Sequence, residues 1–509
     1  HELFARLIKN NTEQRGILYT SKADIVGFKN PEELAEKYNN VLYHRHQYAR
    51  IEIFKNHFYI KEYDENVYEI IYKLKKYAES GIKNYTHSVD LWMKNSGLII
   101  DCDEKKNALR NLFKNSKVAF IYGAAGTGKS TMINYISSLF KDKQKIFLAN
   151  TNPAVENLRR KVTAEHAEFV TITKFLSKDV SNDCDILCLD ECSTISNRDM
   201  VRVLQRAQCK LLVLVGDIYQ IESILFGNWF NIAYKVMPKD SVAELTRPHR
   251  TTVQGLIEVW NKVREITEDR LEFITRNGLS STLDESIFSR TEEDEIVLCL
   301  NYDGIYGINN INKFLQSNNV NPSINWGVLS YKVGDPVLFN ESNRFAPLVY
   351  NNLKGKILQI EEEEDCIYFT IEVYTVLNEL DVIGFDLELK ESVTDETSVI
   401  RFKVGRGGDG NDDNDNVENV VPFQVAYAIS IHKAQGLEYE SVKVVITSEI
   451  EEMVSHNIFY TAITRAKSKL KIYWSPETEK RILENMKVQF NDKDYQLFKA
   501  KYKEALLKS

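Results

Sequence analysis

From about residue 105 onward the chain alternates short apolar runs with amphipathic helical stretches. Apolar runs at 118–122, 146–149, 186–189 and 211–215 are bounded by polar or glycine turns, and helix-like stretches at 130–140 and 153–161 lie between them. Strands that are apolar at every position are buried on both faces, and intervening helices serve as crossovers, so this pattern predicts a parallel α/β sheet. A second set of such runs comes late, at 296–300, 425–431, 442–446 and 470–473. Within it, from about 320 to 404, the pattern changes to alternating strands at 337–339, 356–360, 366–373 and 399–404, which predicts a small β-rich insert. Residues 1–95 mix charges with many tyrosines, show helical periodicity over about 65–94 and carry no repeat or catalytic motif. The predicted organisation is an N-terminal mixed or helical region of unknown role (1–95), a first α/β domain (96–245) and a second α/β domain. The second domain is made of 246–319 and 417–509, the latter ending in a helical tail, and is interrupted by the insert and an acidic loop (320–416).

Composition narrows the function classes. A chain of 509 residues is too long for one core and suggests roughly three or four domains. No run of about 18 apolar residues appears, which excludes a membrane-spanning helix and gives the expectation of a cytoplasmic protein. The chain starts at His1 with no signal-peptide pattern, a start compatible with a fragment or processed chain that lacks an upstream part. The net charge of −8 argues against a protein that simply coats nucleic acid, yet leaves room for one that grips a few phosphates in a local groove. Cys184, Cys188 and Cys192 mimic metal-ligand spacing, but Cys188 lies in an apolar strand whose alternate residues face opposite ways, so free thiols are expected. His44 and His46 lack further ligands, and the acidic run 405–416 lacks the glycine and closing glutamate of a calcium loop; it reads as a solvated segment.

Three motifs carry chemistry. Gly123-Ala-Ala-Gly-Thr-Gly-Lys-Ser130 fits the complete P-loop pattern between an apolar strand and a helix. In such a loop Gly123, Gly126, Thr127 and Gly128 supply backbone N–H groups that curl around phosphates, Lys129 reaches the β- and γ-phosphates, and Ser130 offers a hydroxyl to Mg²⁺, with Thr131 following. Asp190-Glu191 closes the apolar run at 186–189, 60 residues after Ser130, in the hydrophobic-strand-then-acid form of a metal-holding and water-polarising pair. A further strand ends in Gly216-Asp217-Ile-Tyr-Gln220.

With these residues in order, the chain resembles the superfamily-1 helicases, P-loop NTPases with two RecA-like domains. The resemblance implies that Gln220 senses the γ-phosphate. Leu245-Thr-Arg-Pro-His-Arg250 looks like the element that opens the second domain, with Arg250 reaching the γ-phosphate. Ile431-His-Lys-Ala-Gln-Gly-Leu-Glu438 is similar to the motif that touches nucleotide through Gly436 and Glu438 and the strand through His432. Tyr460-Thr-Ala-Ile-Thr-Arg-Ala-Lys467 is similar to the last helicase motif, with Arg465 as arginine finger. Thr151, Asn152 and Thr173 fall where the family contacts nucleic acid. The likeness covers about 100–475 and is closest to the RecD-like branch, on Ser430–Glu438, Val333-Gly-Asp-Pro-Val-Leu-Phe339 and Asn351-Asn-Leu-Lys-Gly355. That branch implies an SH3-like insert and 5′ to 3′ movement.

Three departures change the picture. Lys105 stands where the family often has an adenine-reading glutamine, and His249 stands in place of a stacking aromatic, so nucleotide choice is expected to be loose. Only nine residues, 177–185, separate the strand-contacting Thr171–Leu176 element from the Asp190 strand, too few for a substantial duplex-splitting hairpin. The leading expectation is an ATP- and Mg²⁺-dependent translocase or helicase on single-stranded nucleic acid, DNA before RNA, in repair or defence. The alternative is a regulatory ATPase subunit that loads or signals to a partner nuclease or an upstream domain. A catalytically dead binding module is disfavoured because every phosphate-handling residue is present.

Overall fold

The structure, a computed structural model, describes residues 1–177, 182–220, 226–249, 251–340, 344–346, 348–392, 394–406, 419–486 and 492–503. It divides into two compact units, His1–Arg250 with Val488–Ser509, and Thr251–Lys487.

The first unit is built on a six-stranded parallel sheet. Its order is Ala167–Thr171, Lys145–Ala149, Asp183–Leu189, Gln208–Gly216, Val118–Gly123, Val242–Leu245. Both faces are covered, as the uninterrupted apolar strands require. Val118, Phe120 and Tyr122 belong to one core, while Ala119 and Ile121 pack on the other side with Met132, Ile133 and Ile136 of the helix Lys129–Leu139.

The N-terminal region supplies much of the first face. In the helix Lys61–Ala78 the fully buried Val67, Ile70, Ile71 and Leu74 repeat at helical spacing and join the core that holds Val203, Leu212 and Leu214. The single helical stretch expected over 65–94 is two helices, Lys61–Ala78 and Tyr85–Asn95. The break falls at Gly81, where a Cβ would sit 2.1 Å from the Lys114 carbonyl oxygen, so the chain can cross that backbone only as glycine. Ahead of these, a three-stranded antiparallel sheet (Thr20–Ser21, His57–Ile60, Ile51–Phe54) packs with the helices Glu2–Arg15 and Pro31–Val41 around Phe4, Ile8 and Phe58.

The helical tail, expected to close the second domain, belongs to the first unit. Asp494, in the helix Asp492–Lys501, accepts the Leu18 and Tyr19 amides at 2.7 and 3.0 Å, and Lys501 Nζ lies 2.6 Å from the buried Asp64 carboxylate. Buried amides need an acceptor, and the tail brings one from 476 residues away.

The second unit holds a five-stranded parallel sheet in the order Ser280–Ser281, Ala466–Tyr473, Tyr439–Val445, Glu295–Cys299, Ala428–Ser430. The insert is a six-stranded antiparallel sheet: Glu388–Lys390, Ser398–Gly405, Cys366–Val373, Lys354–Glu362, Pro336–Phe339, Phe423–Val425. The run at 425–431, expected as one strand, is split. Phe423–Val425 pairs with Val337–Phe339 in the insert, and Ala428–Ser430 enters the parallel sheet. Asn312 Oδ1 accepts the Tyr427 and Ala428 amides at the crossing, which satisfies the backbone where neither ladder can. Both units thus carry the expected parallel α/β sheet, and the acidic run beyond Arg406 lies outside the described residues.

Candidate nucleotide site

Because all six strands of the first sheet are parallel, their C-terminal ends share one edge. Tyr122 pairs with Gly216 and Leu189 with Leu214, so on the strands Val118–Gly123, Gln208–Gly216 and Asp183–Leu189 Gly123 is level with Asp217, and Asp190 lies level with Val215, two residues lower. At about 4.8 Å between neighbours, the first and last of these strands are about 10 Å apart.

The loop after Val118–Gly123 turns back on itself through Gly126 and Gly128, both at positive φ, and the helix starts at Lys129. Lys129 Nζ donates to the carbonyls of Gly123 and Ala124 at 2.8 and 2.9 Å, which lays its ammonium along the mouth of the loop. Thr127 Oγ1 donates to Ala124 O at 3.0 Å and stiffens the turn. Ser130 and Thr131 follow, half-buried, in the first helical turn.

Asp190 ends its strand and accepts the Glu191 amide on Oδ1 at 2.9 Å. Burial pushes its carboxyl above the ordinary range; that hydrogen bond and the Lys129 charge pull in the opposite direction. Glu191 is held in the left-handed region at φ 52°, strain that persists only where the surroundings enforce it and that clusters at functional sites. Asp217 is 3 % exposed; its Oδ1 accepts the Tyr219 amide at 3.1 Å, while its buried Oδ2 has no hydrogen-bond partner. Gln220 N donates to Asp217 O at 3.3 Å in the same turn. Asp217 Oδ2 is a buried carboxylate oxygen without a partner, and Asp190 ends the neighbouring strand with only one of its oxygens bonded to the Glu191 amide; oxygen donors left open in this way fit a hydrated divalent cation such as Mg²⁺ with a phosphate.

On the same edge, Thr151 caps the helix Asn152–Lys161 and accepts the Ala154 amide at 3.4 Å. Asn152 and Thr173 are exposed at the ends of the two neighbouring strands. Thr151 thus serves as a helix cap and stays exposed besides.

Lys105 and His249 form a cluster that spacing did not reveal. The Lys105 side chain is 1 % exposed, its ammonium 2.5 Å from Asp101 Oδ2, and a Cβ on Gly128 would lie 2.5 Å from that nitrogen. His249 Nε2 lies 3.7 Å from the same oxygen, and its amide donates to Gly126 O. The Asp101 carboxyl is raised by burial, but Lys105 and His249 outweigh this and hold it below its usual value. Glu104 Oε1 accepts Thr246 N and Oγ1 at 3.0 and 2.8 Å, so the Leu245–His249 segment is pinned over the loop. Asp101, Glu104 and Asp217 are the residues that sequence reasoning passed over. The Gly-Asp-x-x-Gln run signalled Asp217; nothing signalled the other two.

In the second unit, Gly436 takes φ 79° in the turn after Ala428–Ser430, His432 is exposed, and Glu438 O accepts from Lys354 Nζ at 3.3 Å. Arg465 is 2 % exposed; its guanidinium donates to Thr461 O and Leu437 O at 2.9 and 3.1 Å, linking the last two motifs. Arg250 lies outside the described residues. All seven cysteines are free, and among the described residues the only metal-like grouping is Asp101, Cys102 and His249.

The AAA domain model matches residues 102–284, and the UvrD-like helicase C-terminal domain model matches 425–473. An uncharacterised protein of Methanocaldococcus jannaschii is 24 % identical over 448 residues, spanning 72 % of this chain; the match covers only 37 % of that protein. The RecD subunit of the RecBCD enzyme of Buchnera aphidicola is 23 % identical over 76 % of this chain and 78 % of its own length. The ATP-dependent DNA helicase Pif1 of Campylobacter jejuni is 23 % identical over 70 % and 88 %. Among solved structures, Bacteroides Pif1 with ADP-AlF3 and single-stranded DNA aligns with a TM-score of 0.46 at 16 % identity, over 80 % of this chain and 98 % of that one.

Proposed function

We propose that this chain, a superfamily-1 helicase of the RecD- and Pif1-like group, couples ATP hydrolysis to movement along single-stranded DNA. One observation carries the reading: neighbouring parallel strands put Lys129, Asp190–Glu191 and Asp217–Gln220 at one sheet edge, with Thr151 and Thr173 on the same edge.

The P-loop amides and Lys129 hold the β- and γ-phosphates, and the ammonium exchanges two carbonyl acceptors for phosphate oxygens when ATP enters. Ser130 and Asp190 would hold Mg²⁺, which would supply charge neutralisation on the phosphates. Glu191 takes a proton from the attacking water, and Gln220 positions that water against the γ-phosphate. Arg465 and Arg250 are the candidate arginines for the charge that develops on the transferred group. Thr151, Asn152, Thr173 and His432 are the candidate strand contacts, made chiefly to backbone and therefore without sequence preference. Movement 5′ to 3′ and work in the cytoplasm belong to the same reading; no described helix is long and apolar enough to cross a membrane.

The test is the ATPase rate with and without single-stranded DNA or RNA, beside unwinding of tailed duplexes of both polarities. Lys129→Ala is expected to lower turnover by several decades with the fold intact, and Glu191→Gln to bind nucleotide normally but hydrolyse it slowly. Turnover of Lys129→Ala within about tenfold of the parent would overturn the assignment of the site. A second reading, a motor subunit serving a partner nuclease, is favoured by the RecD relatives, whose name marks a subunit of a larger enzyme. Translocation or duplex opening that appears only when such a nuclease subunit is added to the chain would select it.

A further inference from the structure

The N-terminal unit carries an exposed aromatic and basic strip that the nucleotide site does not use. Residues 41–51 read Val-Leu-Tyr-His-Arg-His-Gln-Tyr-Ala-Arg-Ile and contain no aspartate or glutamate, in a chain of net charge −8. Tyr43, His44, Arg45, His46, Tyr48 and Arg50 are all exposed, the two tyrosines at 55 % and 50 %. Their rings form a continuous series: centroids are 4.2 Å apart for Tyr43 and His44, 6.0 Å for Tyr43 and His46, and 5.9 Å for His46 and Tyr48.

The strip is held firmly at its base. Asn39, in the helix before it, donates to Ile51 O at 2.8 Å and accepts the Ile51 amide at 2.9 Å, closing the loop at its neck. Inside it, the His46 amide donates to Tyr43 O at 2.8 Å and Arg50 donates to Gln47 Oε1 at 3.0 Å. The Lys61 amide donates to Arg50 O at 2.9 Å and ties the far end to the long helix. The backbone is therefore fixed while the rings face water. Exposed large apolar side chains on a rigid support mark a binding surface, since they contribute nothing to a core.

From this geometry we infer that the 43–50 strip is a second contact for single-stranded nucleic acid, separate from the Thr151–Thr173 edge. Unpaired bases stack on aromatic faces whatever their sequence, and cations between the rings meet the phosphates that join those bases. The absence of carboxylates from the strip is the charge complement of a polyanion. A protein partner would bury the same rings but would gain nothing from a strip of this single sign unless it were itself acidic. The inference rests on the reading of the chain as a single-strand motor and gives the N-terminal region a role in it.

The experiment uses the full chain and fluorescence anisotropy with labelled oligo-dT and oligo-rU of about 30 nucleotides. Tyr43→Ala with Tyr48→Ala is expected to weaken binding at least tenfold, and Arg45→Gln to flatten its salt dependence. Tyr43→Phe with Tyr48→Phe retains the faces and should bind like the parent. Basal ATPase without nucleic acid and thermal stability should be unchanged in all three. Parental binding by the alanine pair, or equal loss in the phenylalanine pair, overturns the inference while leaving the motor reading intact. Failure of the parent itself to bind any single strand overturns both. Preference for one oligomer decides between DNA and RNA.

Discussion

Asp101→Ala should destabilise the first unit more than Lys105→Met, although the two side chains make one ion pair. The Lys105 side chain is 1 % exposed and Asp101 is 37 % exposed, with 2.5 Å between ammonium and carboxylate. Removing one partner of a fully buried pair costs ~3–5 kcal/mol, because the charge left behind cannot reach water. Asp101→Ala strands the buried ammonium, but the lost carboxylate also opens the site to solvent, so about half of that, ~2 kcal/mol, is expected. Lys105→Met leaves a carboxylate that already meets water and has His249 Nε2 at 3.7 Å, so ~0–1 kcal/mol is expected, as for an exposed pair. Urea unfolding reads the difference as a shift in the first transition; with two units a single global unfolding energy is not defined. The reverse order, or equal losses, would refute burial of the Lys105 charge beneath Asp101. Under the proposed function the same pair bears on nucleotide choice. An ammonium committed to a carboxylate and set against Gly128 cannot offer the paired donor and acceptor of a glutamine amide to the edge of adenine. ATP and GTP are therefore expected to be used within about a hundredfold of each other, ~2.7 kcal/mol, and a stronger preference would place base reading on other residues.

Asp190→Asn should raise the melting temperature of the nucleotide-free chain by a few degrees while abolishing turnover, since burial already disfavours the charged carboxyl; a fall in scanning calorimetry would count against that cost. Asp494→Ala should cost ~2–4 kcal/mol because it leaves the buried Leu18 and Tyr19 amides without acceptors, and Asp494→Asn, which keeps one oxygen, should cost less; equal costs in urea unfolding would refute the capping role. With at most a short segment between Leu176 and Asp183, part of it outside the described residues, DNA should stimulate the ATPase strongly while long duplexes open poorly. Efficient unwinding of a long tailed duplex by the chain alone would overturn that expectation.

The parts of the site that could be read from sequence are those whose chemistry is contiguous. Gly123 to Ser130 is a single loop, and Asp190 announces itself because an acid directly follows four apolar residues in a strand that must be buried. The alternation that revealed the sheet works for the same reason: each strand's own residues report that both its faces are covered. What stayed hidden depends on pairs distant in the chain. Lys105 is an unremarkable helical lysine until the fold sets it against Gly128, and Glu104 acquires its role only when Thr246 arrives beside it. The tail joins the first unit rather than the second, and nothing near Asp494 in the sequence records that two amides at Leu18 and Tyr19 lack an acceptor.

The run at 425–431 failed differently. Its apolar character is real, since Ala426, Ala428 and Ile429 are all buried, but burial alone does not name the partner strand. An antiparallel ladder with Val337–Phe339 and a parallel one with Glu295–Cys299 demand the same apolar pattern. The choice between them is made at Ala426–Tyr427 by polar groups: Asn312 accepting two amides, and Tyr427 donating to the buried Asp335 at 2.8 Å. Hydrophobic pattern therefore fixes which segments are strands, while buried polar side chains far along the chain decide which sheet each one joins. By this argument Asn312→Leu, nearly matched in volume and without an acceptor, should loosen the junction between insert and parallel sheet while leaving both strands formed. Hydrogen exchange that rises at Tyr427 and Ala428 but not within the Cys366–Val373 ladder would show it, and uniform protection across both would refute it.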